Sequence, residues 1–306
     1  MVTKIRRKTT PTKPNSAATG AAGTSATPSS SFSAPAAANW VVPGVRPVAL
    51  ITGASSGIGE ALARQFSSAR HDVILVARSA DKLEQLAHTL ADRYGVTALT
   101  LAADLSLPGA AQALQDELNA LQLNVDVLVN CAGVLEQGAF AEMSAESQQQ
   151  MIALNIAGLT AMLSSFVPGM VARGRGRVLN VASIAAFQPI PTLATYAATK
   201  AFVLSLSESL GEELRGTGVT VTTLCPGITA TQMLSKAAGA NDKLSLLPGF
   251  LVSDVNDVAE QATAACLRGD AICVPGTINQ GAMIASRATP KWLVRRIGGV
   301  LGRRAL

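Results

Sequence analysis

Tyr196 and Lys200 stand four residues apart in Thr195-Tyr196-Ala197-Ala198-Thr199-Lys200. In a helix that spacing stacks both side chains on one face, about one turn apart. A free tyrosine, with a pKa of about 10, is a poor base at neutral pH, and a neighbouring ammonium favours its phenolate. So placed, the pair could exchange a proton with an alcohol or ketone oxygen. Alone, it also reads as an ordinary contact on a helix surface. Ser183 lies thirteen residues upstream, just past an apolar strand in Asn180-Val181-Ala182-Ser183, where its hydroxyl could hold a substrate oxygen or simply shape a turn. Asn155 is a lone amide in the apolar run Ala153-Leu154-Asn155-Ile156-Ala157-Gly158. A buried amide costs free energy unless it is bonded, and a water held between its backbone and Lys200 would give it a role.

A second group of residues suits a diphosphate. Thr52-Gly53-Ala54-Ser55-Ser56-Gly57-Ile58-Gly59 joins a strand to a helix. Glycines at 53, 57 and 59 permit a tight turn, close approach of backbone to phosphate, and close helix-strand packing. The helix start offers free N–H groups and the positive end of its dipole. At the end of the second strand, Leu75-Val76-Ala77-Arg78-Ser79 carries no carboxylate for ribose hydroxyls. Arg78 suits a 2′-phosphate, so NADP(H) is favoured over NAD(H); the rival reading leaves Arg78 in solvent. Asp104 offers an adenine contact or a helix cap.

These residues need strand ends to hold them, and the chain supplies a regular alternation. Strands are expected at 48–51, 73–76, 98–102, 125–129, 177–181, 219–224 and 271–274, and helices at 58–67, 80–94, 110–121, 146–172, 194–215 and 254–268. Short, near-continuously apolar strands suit a sheet buried on both faces. Repeated strand-helix-strand units give an α/β fold, a Rossmann-type doubly wound parallel sheet of about seven strands with helices on both faces, in one domain over 46–280. No uncharged apolar run of about 18 residues is found, so no membrane span is expected.

With these motifs assembled, the chain resembles the short-chain dehydrogenase/reductase family over about residues 46 to 280. The resemblance rests on TGASSGIG at 52–59, Asp104, Asn130-Cys131-Ala132-Gly133, Asn155, Ser183, Tyr196 with Lys200, and Pro226-Gly227 followed by Thr231. It implies Tyr196 as acid/base, Ser183 orienting the substrate, Lys200 contacting the nicotinamide ribose and lowering the tyrosine pKa, and Asn155 supporting a proton relay. It places the dinucleotide against Gly53, Ser55, Ser56, Gly57, Ile58, Gly59, Arg78, Asp104, Asn130, Ala132, Gly133, Tyr196, Lys200, Pro226, Gly227, Thr229 and Thr231. It also implies a homodimer or tetramer, commonly through the helices near 146–172 and 194–215. Cys131 and Ala182 depart from the family's usual Asn and Ser. The implied reaction exchanges a hydride between the nicotinamide and a carbonyl or secondary alcohol, with no metal. The apolar Val134, Leu135, Ile184, Phe187 and Met233, beside a specificity stretch at 228–252, favour a hydrophobic ketone, aldehyde or acyl thioester. A non-catalytic, redox-sensing NADP(H)-binding regulator is the alternative.

Composition excludes other classes. The 306 residues are 48% hydrophobic, 15% charged and 4% aromatic, which fits neither a disordered chain nor a coiled coil. The net charge of +5 belongs to the ends: residues 1–45 carry five basic residues and no acid, residues 271–306 carry six and no acid, and the body has 14 basic against 20 acidic side chains. A body that is mildly acidic and poor in aromatics argues against nucleic acid as a partner. Four cysteines without CxxC spacing and only His71 and His88 argue against a structural zinc, a disulfide framework or a Ser-His-Asp hydrolase. The cysteines read as reduced and buried.

Residues 1–45, basic at the start and then rich in Ala, Ser, Thr and Pro, read as a disordered tail, with organelle targeting or an anionic-surface contact as rivals. Residues 281–306 form a basic amphipathic extension around Pro290 to Leu301 that packs on the protein or touches a membrane surface weakly. A cytoplasmic location is expected.

Overall fold

A computed structural model describes residues 46–229, 252–277, 279–281 and 283. The expectations for the N-terminal tail, Thr231, Met233, most of 228–252 and the C-terminal extension fall outside these residues.

The described chain builds one seven-stranded sheet: β1 (Val48–Thr52), β2 (Asp72–Ala77), β3 (Ala98–Ala102), β4 (Val127–Asn130), β5 (Gly176–Val181), β6 (Val219–Leu224) and β7 (Ile272–Cys273). The spatial order is β3-β2-β1-β4-β5-β6-β7, and every pairing is parallel. The order reverses between β1 and β4, and a crevice opens at such a switch point outside the strand carboxyl ends.

Helices α1 (Gly57–Ser68), α2 (Ala80–Tyr94), α3 (Ala110–Ala120), α4 (Ala145–Ile152), α5 (Leu159–Ala172), α6 (Ala194–Glu213) and α7 (Val255–Arg268) cover both faces. In α2 the apolar spacing is direct: Leu83, Leu86, Ala87 and Leu90 are buried on one stripe, and Gly95 at φ +63° ends the helix in the left-handed conformation. One core layer joins Leu50, Leu128 and Val178 of the sheet to Met162, Phe166 and Val203 of α5 and α6. The other joins Ile51, Val73 and Val129 to Leu62 and Phe66 of α1 and Val258 of α7. Truncating a buried phenylalanine such as Phe66 costs about 3–5 kcal/mol.

One strand boundary changes, and one helical run is strongly apolar. The apolar signal at Val125 suggests that β4 starts there. Instead Asp126 accepts from Val48 N–H through its carboxylate at 3.0 Å and donates its own N–H to Val48 O at 2.9 Å, so the strand begins at Val127. The run Ala145–Ala172 does contain an 18-residue window apolar enough to cross a membrane, at mean hydropathy 1.6, which a search for an uninterrupted apolar run misses. Its apolarity serves the core, since Met162, Leu163, Phe166 and Met170 are buried in the layer on the sheet.

Between α4 and α5 the helix widens to a π-turn over Ala153–Gly158 that contains Asn155. Such bulges recur at functional sites. Gly158 is required there, because a Cβ would collide with the Leu105 carbonyl.

Candidate active site

A cleft of about 260 Å³ lies over the carboxyl ends of β1, β2, β4 and β5. Its floor on one side is the glycine turn. Gly53 and Gly57 adopt φ of +69° and +59°, which side chains with a Cβ rarely tolerate. A Cβ on Gly53 would meet Ala132 Cα at 2.9 Å, and one on Gly59 would strike the Gly53 carbonyl. Ser56 precedes α1 in an extended conformation without its side chain capping the helix. The first-turn N–H groups therefore face the cleft without a side-chain acceptor, which is the arrangement a phosphate satisfies. The turn is tied to the opposite wall by Thr52, whose hydroxyl accepts from the N–H groups of Cys131 and Ala132, both at 3.0 Å, and donates to Val129 O at 3.2 Å. The dinucleotide expected from sequence fits a cradle of this form.

Arg78 and Asp104 meet at the far end of the cleft, Nη1 to Oδ2, at 3.9 Å. Burial alone raises the Asp104 carboxyl, but hydrogen bonds from the Ser106 hydroxyl and amide, with the Arg78 charge beside them, hold it below its ordinary value. Asp104 thus spends one oxygen on its own turn, at 2.7 and 3.0 Å. Arg78, with 65% of its side chain exposed, keeps its guanidinium open to a ligand.

At the other end stand Tyr196, in the first turn of α6, and Lys200, both lining the cleft. Lys200 Nζ donates to Val181 O at 2.8 Å and lies 5.8 Å from the Tyr196 ring centroid. Burial pushes the Lys200 ammonium down to about 8. Sequence reasoning expects that ammonium to lower the tyrosine pKa. In the fold burial dominates instead and pushes the phenol up to about 12, with the Ser183 side chain lowering it by a hydrogen bond. Tyr196 is half-buried and lines the cleft, and a phenol so raised holds its proton at neutral pH until a charged or polar partner arrives.

Ser183 is buried at the end of β5, its hydroxyl accepting from Ala185 N–H at 3.1 Å. Asn155 accepts from Val134 N–H at 2.9 Å and donates to Val134 O at 2.9 Å and to Thr199 Oγ1 at 3.1 Å. Both N–H donors of its amide and one acceptor site of Oδ1 are therefore engaged in fixing the wall and α6. Gly133 leaves room for this: a Cβ there would lie 3.2 Å from Asn155 Oδ1 and 3.5 Å from Lys200 Nζ.

Not every expected contact faces the cleft. Ser55, Ser56, Ile58, Ala132, Gly133 and Pro226 line it. Asn130 does not: its amide points into the layer under α6, donating to Asn180 Oδ1 at 2.9 Å, and Asn180 donates to Ser207 Oγ at 2.9 Å. Gly227 lies under Asn279, whose amide a Cβ would meet at 2.5 Å, and Thr229 donates to Gly227 O at 3.1 Å, so both stand behind Pro226. Of the apolar substrate candidates Val134 lines the cleft, whereas Ile184 and Phe187 pack against the core. Thr52, Asn180, Thr199 and Ser207 were missed by sequence reasoning; each is a small polar residue in an apolar run, which is a signal only once a partner is known. Cys131 also lines the cleft, and burial pushes its thiol up to about 12.

The chain belongs to the short-chain dehydrogenase family: residues 47–242 match the family model described as short chain dehydrogenase. It is similar to the uncharacterized oxidoreductase YvrD of Bacillus subtilis, with 33% identity over 223 residues that cover 71% of this chain and 84% of that one. Among solved structures, it is similar to a short-chain dehydrogenase from Sphingobium yanoikuyae in complex with NADPH, at 34% identity and TM-score 0.71, covering 79% of this chain and 93% of the other. The bulky-bulky ketone specific alcohol dehydrogenase from Comamonas testosteroni matches at 30% identity and TM-score 0.67, covering 79% and 92%. The chain is an oxidoreductase of the nicotinamide-dependent class, acting on a small molecule.

Proposed function

We propose that this protein is an NADP(H)-dependent reductase that interconverts a hydrophobic ketone, aldehyde or acyl thioester carbonyl with its alcohol, using Tyr196 to move the proton. The observation that carries the reading is the joint placement of Tyr196 and Lys200 on one cleft with the glycine turn. Arg78 at the open end supports the 2′-phosphate, as does the NADPH complex of the Sphingobium relative. The apolar wall at Val134 and the ketone-specific relative support the substrate class. No observation favours a non-catalytic regulator over this reading.

The glycine turn, the start of α1, Arg78 and Asp104 would hold the dinucleotide, with Ala132, Gly133 and Pro226 along its length. When bound, the nicotinamide supplies or takes up the hydride; the protein provides position, polarity and a proton path. In the reductive direction Tyr196 gives its hydroxyl proton to the carbonyl oxygen, while Ser183 donates a hydrogen bond to the same oxygen. Lys200, charged when near its partners, offsets the negative charge left on the phenol oxygen. Asn155 holds Val134 and Thr199, which fixes the wall around Lys200, and a water at its backbone carbonyl would return the proton through Lys200.

Exposed Ile152, Val171 and Phe202 on α4, α5 and α6 support self-association through these helices. The deciding experiment follows oxidation of NADPH and NADH across a panel of apolar ketones, aldehydes and acyl thioesters, with Tyr196→Phe beside the wild type. Turnover with NADPH that vanishes in the variant supports the reading; equal turnover in both sinks the role of Tyr196.

A further inference from the structure

The segment from Val134 to Met143 is joined to the segment from Gln188 to Leu193 by one direct bond and to the first turn of α6, beside Tyr196, by a bridge through Gln148. Gly138 N–H donates to Thr192 O at 3.0 Å. Gln148, on α4 and outside the cleft lining, donates from Nε2 to Phe140 O at 3.3 Å and accepts at Oε1 from the Thr195 hydroxyl at 3.0 Å. Thr195 immediately precedes Tyr196 in the first turn of α6. That turn has no side-chain cap from Leu193, so the Gln148 bond is a side-chain anchor on it from a neighbouring element. Thr192, which receives the Gly138 bond, sits at φ +68°. A β-branched residue disfavours that conformation, and it persists where surrounding contacts over-determine it.

We propose that Gln148 is a positioning residue: by bridging Phe140 O and Thr195 Oγ1 it latches the 134–143 segment to the first turn of α6 and thereby fixes Tyr196 against the wall where a carbonyl would lie. A primary amide suits this task because one group donates and accepts at once, in opposite directions. The inference rests on the proposed role of Tyr196 for its catalytic consequence, while the latch itself is a statement about two segments and can be read without turnover.

The test uses Gln148→Met and Thr195→Val, which keep volume but remove the bond, their double variant, and Thr195→Ser, which keeps the hydroxyl. Hydrogen exchange of amides 192–195 should speed up about fivefold in Thr195→Val, the effect of losing one ordinary hydrogen bond, and return to the wild-type rate in Thr195→Ser; Gln148→Met, which also loses the bond to Phe140 O, should speed up amides 138–142 as well by at least that factor. The double variant should exchange no faster than Gln148→Met, since the one bond lost in Thr195→Val is already lost there. Carbonyl-reduction kcat should fall about fivefold in parallel, with NADPH Kd unchanged. Unchanged exchange, multiplicative effects in the double variant, or a Thr195→Ser that behaves like Thr195→Val would each overturn the latch. Faster exchange with unchanged kcat would overturn its positioning role. A Tyr196→Phe variant that retains turnover removes the tyrosine reading alone, because the exchange result stands without it.

Discussion

Lys200 Nζ is bonded to the Val181 carbonyl at 2.8 Å while standing 5.8 Å from the centroid of the Tyr196 ring. The ammonium is thus held by the strand end beneath the cleft, and its charge is presented to the ring face. Both groups carry a burial penalty on their charged forms, Lys200 pushed down to about 8 and Tyr196 up to about 12. A ligand that brings polar atoms into the cleft relieves that penalty for both, which is how binding can prepare the pair for proton transfer.

The same shift makes a stability prediction for the ligand-free protein. A lysine depressed from 10.5 to about 8 binds fewer protons folded than unfolded between those values, so its penalty is full below pH 8 and is relieved as pH rises. From pH 7 to pH 9, the stability of the wild type should rise relative to Lys200→Met by about 1 kcal/mol. Cys131 and Tyr196, both pushed up to about 12, act in the opposite sense, lowering stability as pH passes the unfolded values of about 9 and 10. Urea unfolding of the two proteins across pH 7 to 9 measures the difference; a flat difference refutes the buried, uncompensated ammonium.

Tyr196→Phe keeps the ring and removes the proton. Loss of a general acid should cost about 10²–10⁴ in kcat, and NADPH Kd should stay within twofold because the glycine turn and Arg78 are untouched. Stopped-flow single turnovers with fluorescence titration of the cofactor separate the two quantities.

Gly59→Ala tests the close approach in the turn. Its new methyl group would strike the Gly53 carbonyl, and forcing a methylene into packed backbone costs about 1–3 kcal/mol. The turn can absorb this only by opening, so NADPH affinity should fall at least about tenfold along with the melting temperature. Gly95→Ala is the control: no atom lies within 4 Å of a Cβ there, so it should lose stability through its φ of +63° without losing NADPH affinity.

Much of this was readable from sequence because it rests on periodicity and on backbone requirements. The helix α2 falls at 80–94 as expected, since its apolar stripe and Gly95 mark both stripe and end. Tyr196 and Lys200 reach the same cleft because a four-residue step fixes their shared face. The π-turn at Ala153–Gly158 was not readable, because its cause is the packing of Gly158 on Leu105 and of Asn155 on Val134. Nor was the place of Asn130, whose amide chose Asn180, a partner fifty residues away. The burial that raises the Tyr196 phenol is unreadable for a related reason: a neighbouring charge can be seen in sequence, and the depth of a side chain in the fold cannot.

The polar line Asn130, Asn180 and Ser207 ties β4 and β5 to α6, the helix that carries Tyr196 and Lys200, and it ends where Ser207 donates to Val203 O at 2.7 Å. Asn180→Leu leaves the Asn130 amide without this partner in a dry layer, while the Ser207 hydroxyl keeps its bond to Val203 O. A buried group so orphaned costs about 1–3 kcal/mol, so the variant should be destabilised by at least about 1 kcal/mol. Asn130→Leu combined with Asn180→Leu should cost less than the sum of the two singles, because the second change removes a group the first has orphaned. Chemical denaturation of the three variants completes that cycle.

Arg78→Ala distinguishes the two nicotinamide cofactors. The guanidinium sits at the cleft end with one neighbour of opposite charge, Asp104, at 3.9 Å. A phosphate would compete well for it, since bonds between charged partners contribute about 1.5–3 kcal/mol, or about tenfold to a hundredfold in affinity. Removing Arg78 should therefore raise the KM for NADPH by that factor and leave the KM for NADH within about twofold. The Asp104 carboxyl would lose the charge that helps to hold it low, and with no cation beside it should repel a 2′-phosphate. Reversing the preference outright should need only Arg78→Asp, which puts a carboxylate where ribose hydroxyls can bond to it. An Arg78→Ala variant whose KM for both cofactors rises equally would assign the guanidinium to the shape of the cleft rather than to the phosphate.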